Sequence, residues 1–424
     1  EKICYNKPDS KNLPDGFCRI LNPHYGGDTC LKTILRHILN YFRRLDKILI
    51  LLVCAACALG ICLLYSLVEN SETQSITNAA MNMGIIKTQA VAAMLGLGAS
   101  MVIAAIDYRW FSKLWFIYLP ATVGLTLLTF TSLGTSGLEG ADDKAWIDLG
   151  FMTIQPAEFL KLAYILSLSY HCFRSKEFFN NPLNILALCV HGGLPIILVM
   201  LQGDDGTAVV FMLIFLAIIF AAGISIKYIL AAGIIAPFAF IIMWNYYLQP
   251  VHKNRILSII DPTKYSDADL LYQTNHSLIA LGSGQLRGKG LFGGEYSYVP
   301  ACHNDFILSY AGQTLGYIGC LFIVLLLAVI CLRILANGLR SADPLGKYIC
   351  TGVFAYIIAH CILNIGMVTG VTPVIGIPLP FLSAGGSAML TATVAMGLVL
   401  SVYFHSAKFD TLFGGRKRQN TSIG

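Results

Sequence analysis

The chain has 424 residues, 56% of them hydrophobic and only 12% charged, with a formal net charge of +6. A mean hydropathy of +0.68 excludes an ordinary soluble globular protein and points to an all-α polytopic membrane protein. The alternating pattern of a membrane β-barrel is absent.

About 47 polar and basic residues precede the first apolar run, so a cleavable signal peptide is not expected. Residues 1–47 read as a cytoplasmic N-terminal segment, 48–405 as a membrane domain of about ten helices, and 406–424 as a basic cytoplasmic tail. The expected spans are Ile48–Val68, Thr88–Ile106, Leu114–Leu133, Ala157–Phe173, Pro182–Leu201, Thr207–Gly223, Tyr228–Leu248, Phe306–Leu332, Tyr348–Val368 and Gly385–Phe404. No internal repeat is visible, which weakens a transporter built from two halves. With the N-terminus inside, most of the 29 lysines and arginines fall on inner segments. Both termini are then cytoplasmic, and the long loop at about 249–305 lies outside. The tail Gly415-Arg416-Lys417-Arg418 reads as an anchor on anionic membrane lipid.

Most of the 13 cysteines lie inside apolar spans and read as small apolar residues; Cys4, Cys18 and Cys30 precede them. Cys54 and Cys57 are spaced like a redox or metal motif but have no partner pair. Cys302, alone in the long loop, makes no structural disulfide.

After span three, Trp146 suits the membrane interface and Pro156 suits a first helical turn. Glu158 and Lys161, three apart, share a helix face. They read either as an ion pair that makes a buried lysine tolerable or as a contact for an anionic head group. Asp204 and Asp205 lie between spans five and six. They suit a divalent cation or, preferably on spacing, a turn and helix cap.

The long loop is too apolar around Ser277–Leu281 for a free linker, so it is expected to fold back on the membrane. It carries Gly282-Ser283-Gly284, Arg287, Gly288-Lys289-Gly290 and then His303-Asn304-Asp305 at the mouth of span eight. A carboxylate there, behind Gly-rich and basic sequence, suits a phosphate-bearing lipid substrate. On spacing alone, Asn304 or Asp305 is a helix cap before it is a general base, since a dipole-stabilised carboxylate has a low pKa. Further on, Pro378 and Pro380 forbid a continuous helix, so the segment before span ten is expected to re-enter and line a polar cavity. Ser383 to Ser387 then open span ten with free N–H groups.

Four motifs together resemble the SEDS family (shape, elongation, division and sporulation), the RodA/FtsW/SpoVE-type peptidoglycan polymerases. They are Trp146-Ile147-Asp148-Leu149-Gly150 with Gln155-Pro156-Ala157-Glu158 and Lys161; Asp204-Asp205-Gly206-Thr207; Ala280 to Gly284 with Gly288-Lys289-Gly290, Pro300 and His303-Asn304-Asp305-Phe306; and Gly376 to Ser383. The resemblance implies a glycosyltransferase that polymerises lipid II on the outer face of the bacterial cytoplasmic membrane. Asp305 would be the base that takes the acceptor hydroxyl's proton. Lys161, Glu158, His303, Lys289, Ser283, Pro380 and Ser383 would bind substrate. It also implies assistance by Mg²⁺ or Mn²⁺, for which Asp204 and Asp205 are the candidates, with no covalent cofactor. The implied partners are a class B penicillin-binding protein and other cell-wall synthesis proteins, not nucleic acid. Departures from the family pattern fall at Ala145, Gly203-Asp204-Asp205, His276, Gln313-Thr314 and Ala384. The competing readings are a lipid-II flippase or transporter and a non-catalytic scaffold for a transpeptidase. The buried charges sit near one end of a single span rather than along a path across the bilayer, which favours chemistry at the surface.

Overall fold

The computed structural model describes residues 36, 40–71, 76–77, 82–136, 144–148, 150, 153–261, 264 and 268–413. Nearly all of the N-terminal segment, with Cys4, Cys18 and Cys30, and the tail residues Arg416, Lys417 and Arg418 lie outside them. Contacts divide the chain into residues 1–45 and 46–424, and the membrane domain is the second unit.

Each of the ten expected segments falls on helix. In chain order these are α1 (Lys47–Ser71), α2 (Met83–Ala105), a short α3 (Tyr108–Lys113) leading into α4 (Trp115–Leu127), α5 (Pro156–Arg174), α6 (Pro182–Leu201), α7 (Asp205–Ala221) and α8 (Ile226–Ile242). The long loop then contributes α9 (Pro250–Ile260) and α10 (Ala268–Ser283), followed by α11 (Ile307–Leu339), α12 (Pro344–Val368) and α13 (Gly386–Phe413). Among the described residues, seven helices are long and apolar enough to cross a membrane by length and composition. They are α1, α2, α6, α8 with its π-turn Met243–Tyr247, α11, α12 and α13. The stretch Trp115–Phe130 and α7 are apolar but shorter. The last helix runs on to Phe413, past the expected end of span ten at Phe404.

Local chemistry sets the helix starts. Proline occupies the first turn of α5, α6, α9 and α12, where its missing N–H is harmless. Asn82, Asp107, Asn181, Asp204 and Asp343 cap α2, α3, α6, α7 and α12. α5 is central, packing against α4, α6, α7, α12 and α13. α2 and α13 approach closely because Gly96 meets Thr393 and Gly397 meets the Ser100 backbone. α8 has no buried residue, so its apolar side chains are exposed all round, as suits a lipid-facing span. Three short antiparallel strands, β1 (Gly134–Thr135), β2 (Trp146–Asp148) and β3 (Thr153–Ile154), lead the chain into Pro156. Strands this short carry no readable alternation, and the sequence reading has no counterpart for them.

α11 is broken at Gly316, where φ is +70°. The loop at 284–290 fills the break. Lys289 N and Gly290 N donate to Gln313 O (2.9 Å) and Thr314 O (3.0 Å), while Tyr317 N and Ile318 N donate to Gln285 O (2.8 Å) and Leu286 O (3.2 Å). Four peptide groups beside the break thereby gain a partner inside the protein, as irregular backbone away from water requires. The long loop thus folds back on the helices, as its apolar content requires. It also divides what the sequence suggests is one continuous span.

Candidate active site

Residues 369–385 carry no helix, in accord with the two prolines. This segment lies against the N-terminal ends of α7 and α11. Gly206 presses on Ile375 O, and Gly376 faces Asp305, where an added Cβ would stand 3.8 Å from Oδ2. Asn364 of α12 ties the two together by donating from Nδ2 to Asp305 O and Ile377 O, each at 2.7 Å.

Asp305 is not a helix cap. Phe306 holds the cap position of α11 and no side chain bonds there, because a run of turns from Pro300 to Phe306 precedes the helix. No capping hydrogen bond therefore holds its pKa down. Burial, reinforced by the charge of Asp204, pushes the Asp305 carboxyl up to about 6. Burial also raises Asp204, against the hydrogen bonds from Thr207 and the charge of Lys161. Asp204 does cap α7, accepting from Thr207 N at 2.9 Å, and its other oxygen accepts from Gln155 Nε2 at 2.7 Å. Asp205 turns instead toward His252, with Oδ2 3.7 Å from Nδ1.

Behind the two aspartates lies a buried polar chain. Lys161 Nζ, 0% exposed, donates to Glu158 Oε1 at 2.8 Å and to His360 Nε2 at 2.9 Å. The carbonyl of Pro378 can only accept, so His360 Nδ1 carries the hydrogen and donates at 3.1 Å, leaving Nε2 to accept from the lysine. Glu158 Oε2 accepts from Thr391 Oγ1 at 2.9 Å and Tyr356 OH at 3.3 Å. The ammonium is thus sealed, and its charge reaches the site through space rather than by exposure.

Other expected site residues divide into two groups. His303, Pro380 and Ser383 join the same region. Ala384 N donates to His303 O at 2.9 Å, and Leu379 N donates to Ser383 Oγ at 2.8 Å inside the Pro-Leu-Pro turn. Pro380 is buried. Burial pushes His303 down to about 4, which keeps its ring neutral. Its Nδ1 and Asn364 Oδ1 are buried without a hydrogen-bond partner among the described residues. Ser283 and Lys289 belong to the joint at Gly316. Ser283 Oγ donates to Ala280 O at 2.8 Å and Lys289 Nζ to Glu295 O at 2.7 Å.

Sequence reasoning missed His360, Tyr356 and Asn364. Their signal is a polar residue every fourth position along an otherwise apolar span. It also missed Arg255 of α9, which is exposed and donates to Val374 O at 3.3 Å beside the irregular segment.

Among the described residues, no group of three or more His, Cys, Asp or Glu side chains converges on a metal position. Asp204 and Asp205 fit only the open kind of hard-cation site, in which one or two carboxylates hold an ion that keeps most of its waters and meets substrate phosphates.

Residues 46–408 match the family model FTSW_RODA_SPOVE, described as cell cycle protein. A probable peptidoglycan glycosyltransferase FtsW of Geobacter sulfurreducens is 30% identical over 368 residues, 85% of this chain and 95% of its own. The peptidoglycan glycosyltransferase MrdB of Escherichia coli K12 is 30% identical over 320 residues, 73% of this chain and 83% of its own. Among solved structures, a chain from a peptidoglycan synthase complex that coordinates polymerization and crosslinking matches with a TM-score of 0.70 at 23% identity, covering 85% of this chain and 98% of that one. The rod shape determining protein RodA of Thermus thermophilus matches with a TM-score of 0.62 at 23% identity, over 85% and 97%. The chain is a multi-pass membrane protein and belongs to the FtsW/RodA/SpoVE family.

Proposed function

We propose that this protein is a peptidoglycan glycosyltransferase that polymerises lipid II into glycan strands at the outer face of the cytoplasmic membrane. The observation that carries the reading is Asp305. It is a carboxylate released from helix capping and raised to about 6, so it is largely ionised near neutral pH yet still able to hold a proton. Its carboxylate takes the proton of the acceptor sugar's hydroxyl. The hydroxyl oxygen bonds to the anomeric carbon of the lipid-linked donor. The bond from that carbon to the pyrophosphate oxygen breaks, and the electron pair leaves with the lipid pyrophosphate. Direct displacement inverts the anomeric centre.

Lys161 supplies positive potential from beneath, and exposed Arg255 is the cation placed to meet the pyrophosphate. His303, whose Nδ1 has no hydrogen-bond partner among the described residues, is the side chain left to position sugar or phosphate. Bound at Asp204 and Asp205, a divalent cation would offset pyrophosphate charge. With both termini cytoplasmic, the Asp305 end of the bundle faces outward. A class B penicillin-binding protein, whose transpeptidase crosslinks the strand, is the partner this reading requires.

The test is polymer formation from labelled lipid II by the purified protein. It is run with and without a class B partner, with Mg²⁺ or Mn²⁺, and beside Asp305→Asn. Polymer from wild type and none from the variant is the expected result. Native-rate polymer from the variant would overturn the base assignment, and no polymer from wild type with its partner bound would overturn the activity.

A further inference from the structure

Three aromatic rings gather beside the site without entering the mechanism above. Tyr272 and His276, one turn apart on α10, meet edge to face with centroids 4.4 Å apart. His276 meets Tyr298 in the same way at 5.5 Å, and Tyr272 and Tyr298 are 6.5 Å apart. The carbonyl of Tyr298 accepts from His276 Nδ1 at 3.0 Å, which fixes the imidazole edge and leaves Nε2 as an acceptor in the neutral ring. Tyr272 is 45% exposed.

The cluster is anchored to the helix ends that hold Asp305. Ser277, adjacent to His276, donates to Val368 O at 2.7 Å and pairs with Ser309 Oγ at 2.7 Å. Val368 lies one turn along α12 from Asn364, which holds Asp305 O, and Ser309 is the third residue of α11, four residues past Asp305. One turn advances about 5.4 Å, so the rings stand within reach of a short oligosaccharide whose end is at Asp305.

The chemistry of the cluster selects a ligand. An aromatic face takes an apolar ring face, while phenol hydroxyls and an imidazole nitrogen take a polar rim. A pyranose offers both, with C–H groups on its face and hydroxyls around its edge. The three side chains include no lysine or arginine, so they suit a neutral sugar rather than the pyrophosphate of the donor.

We propose that Tyr272, His276 and Tyr298 form a stacking platform for a sugar of the glycan strand, next to Asp305. This rests on the polymerase reading: the platform holds the growing strand between additions and so governs product length. A tyrosine belt at the membrane–water interface would also expose Tyr272, and the test separates the two.

The test measures binding of a lipid-free tetrasaccharide of the nascent strand to the full-length Asp305→Asn protein, so that turnover plays no part. Product length from lipid II is measured in the otherwise wild-type protein with its partner. Tyr272→Ala is expected to weaken tetrasaccharide binding about tenfold and shorten the product, while Tyr272→Trp, which keeps a stacking face, retains both. Because Tyr272 is exposed, its truncation leaves the core intact, and unchanged thermal unfolding checks this. Equal tetrasaccharide binding and equal product length in wild type and Tyr272→Ala would overturn the platform and leave Tyr272 an interface anchor, with polymerisation standing. Tetrasaccharide binding that depends on Tyr272 in a protein that makes no polymer would uphold the platform and overturn the polymerase reading instead.

Discussion

The two ends of α11 treat carboxylates in opposite ways. At one end Asp46, 2% exposed, accepts from Arg333 Nε at 2.7 Å, Arg333 Nη2 at 3.0 Å and Asn337 Nδ2 at 2.8 Å. Burial works against its charge, but these hydrogen bonds hold it below the usual carboxylate range. Nearby, Asp343 takes Arg109 Nε at 2.7 Å and Tyr108 OH at 2.8 Å while capping α12. At the other end burial raises both Asp204 and Asp305, with the charge of Asp204 adding to the rise at Asp305, while the buried Lys161 ammonium is occupied by Glu158 and His360. The clamps are neutralised, and the carboxylates of the proposed site are left unbalanced. What separates the stabilising cluster from the proposed catalytic one is which carboxylates lack a cation of their own.

The largest effect that should separate the ends is Asp305→Asn. It is expected to lower polymerisation by roughly 10²–10⁴-fold, the range of a lost general base, with thermal unfolding and partner binding unchanged. Arg333→Ala should do the reverse. Leaving Asp46 buried without its cation is expected to destabilise the protein by about 3 kcal/mol in detergent unfolding, while the folded fraction polymerises at the native rate. A loss of rate per folded molecule would break the comparison.

Lys161 and Glu158 sharpen it, because they are built like a clamp yet lie at the end of the proposed site. Lys161→Met alone strands Glu158 and should destabilise by about 3 kcal/mol; adding Glu158→Gln should recover most of that. Polymerisation should stay low in the folded double variant if the lysine charge serves the reaction. Full activity there would reassign the pair to structure alone. The smallest effect is on pH. Activity should rise through about pH 6 as Asp305 ionises. Asp204→Asn removes a negative neighbour and so lowers the pKa of Asp305. The acid limb, read at fixed cation concentration, should therefore move to lower pH; an unmoved limb would show that Asp204 does not act on the base.

Much of this site could be read from residue types. Charges and paired prolines in an apolar chain are expensive to place, and Glu158, Lys161, Asp204, Asp305 and Pro378 each marked a real feature. What could not be read was geometry that depends on distant sequence. Asp305 looks like a helix cap until the turns at 300–306 are seen to place Phe306 there instead. Lys289 looks like a phosphate ligand until its backbone is found mending α11. Gly316 sits among other glycines in an apolar run, and nothing local distinguishes the one that breaks the helix. The Tyr356, His360 and Asn364 stripe was legible in principle, since polar side chains at every fourth position must face protein rather than lipid.

The joint at Gly316 also limits how this protein can evolve. A Cβ at Gly284 would strike Gly312 O, one at Gly288 would strike Thr314 O, and one at Gly316 would strike Gly288 N. Each obstacle is main chain, so no change of neighbouring side chain can make room. The three positions, two in the loop and one in α11, are thus barred from drifting, singly or together. Leu286 between them lends only its carbonyl and is 65% exposed, so it is free to vary.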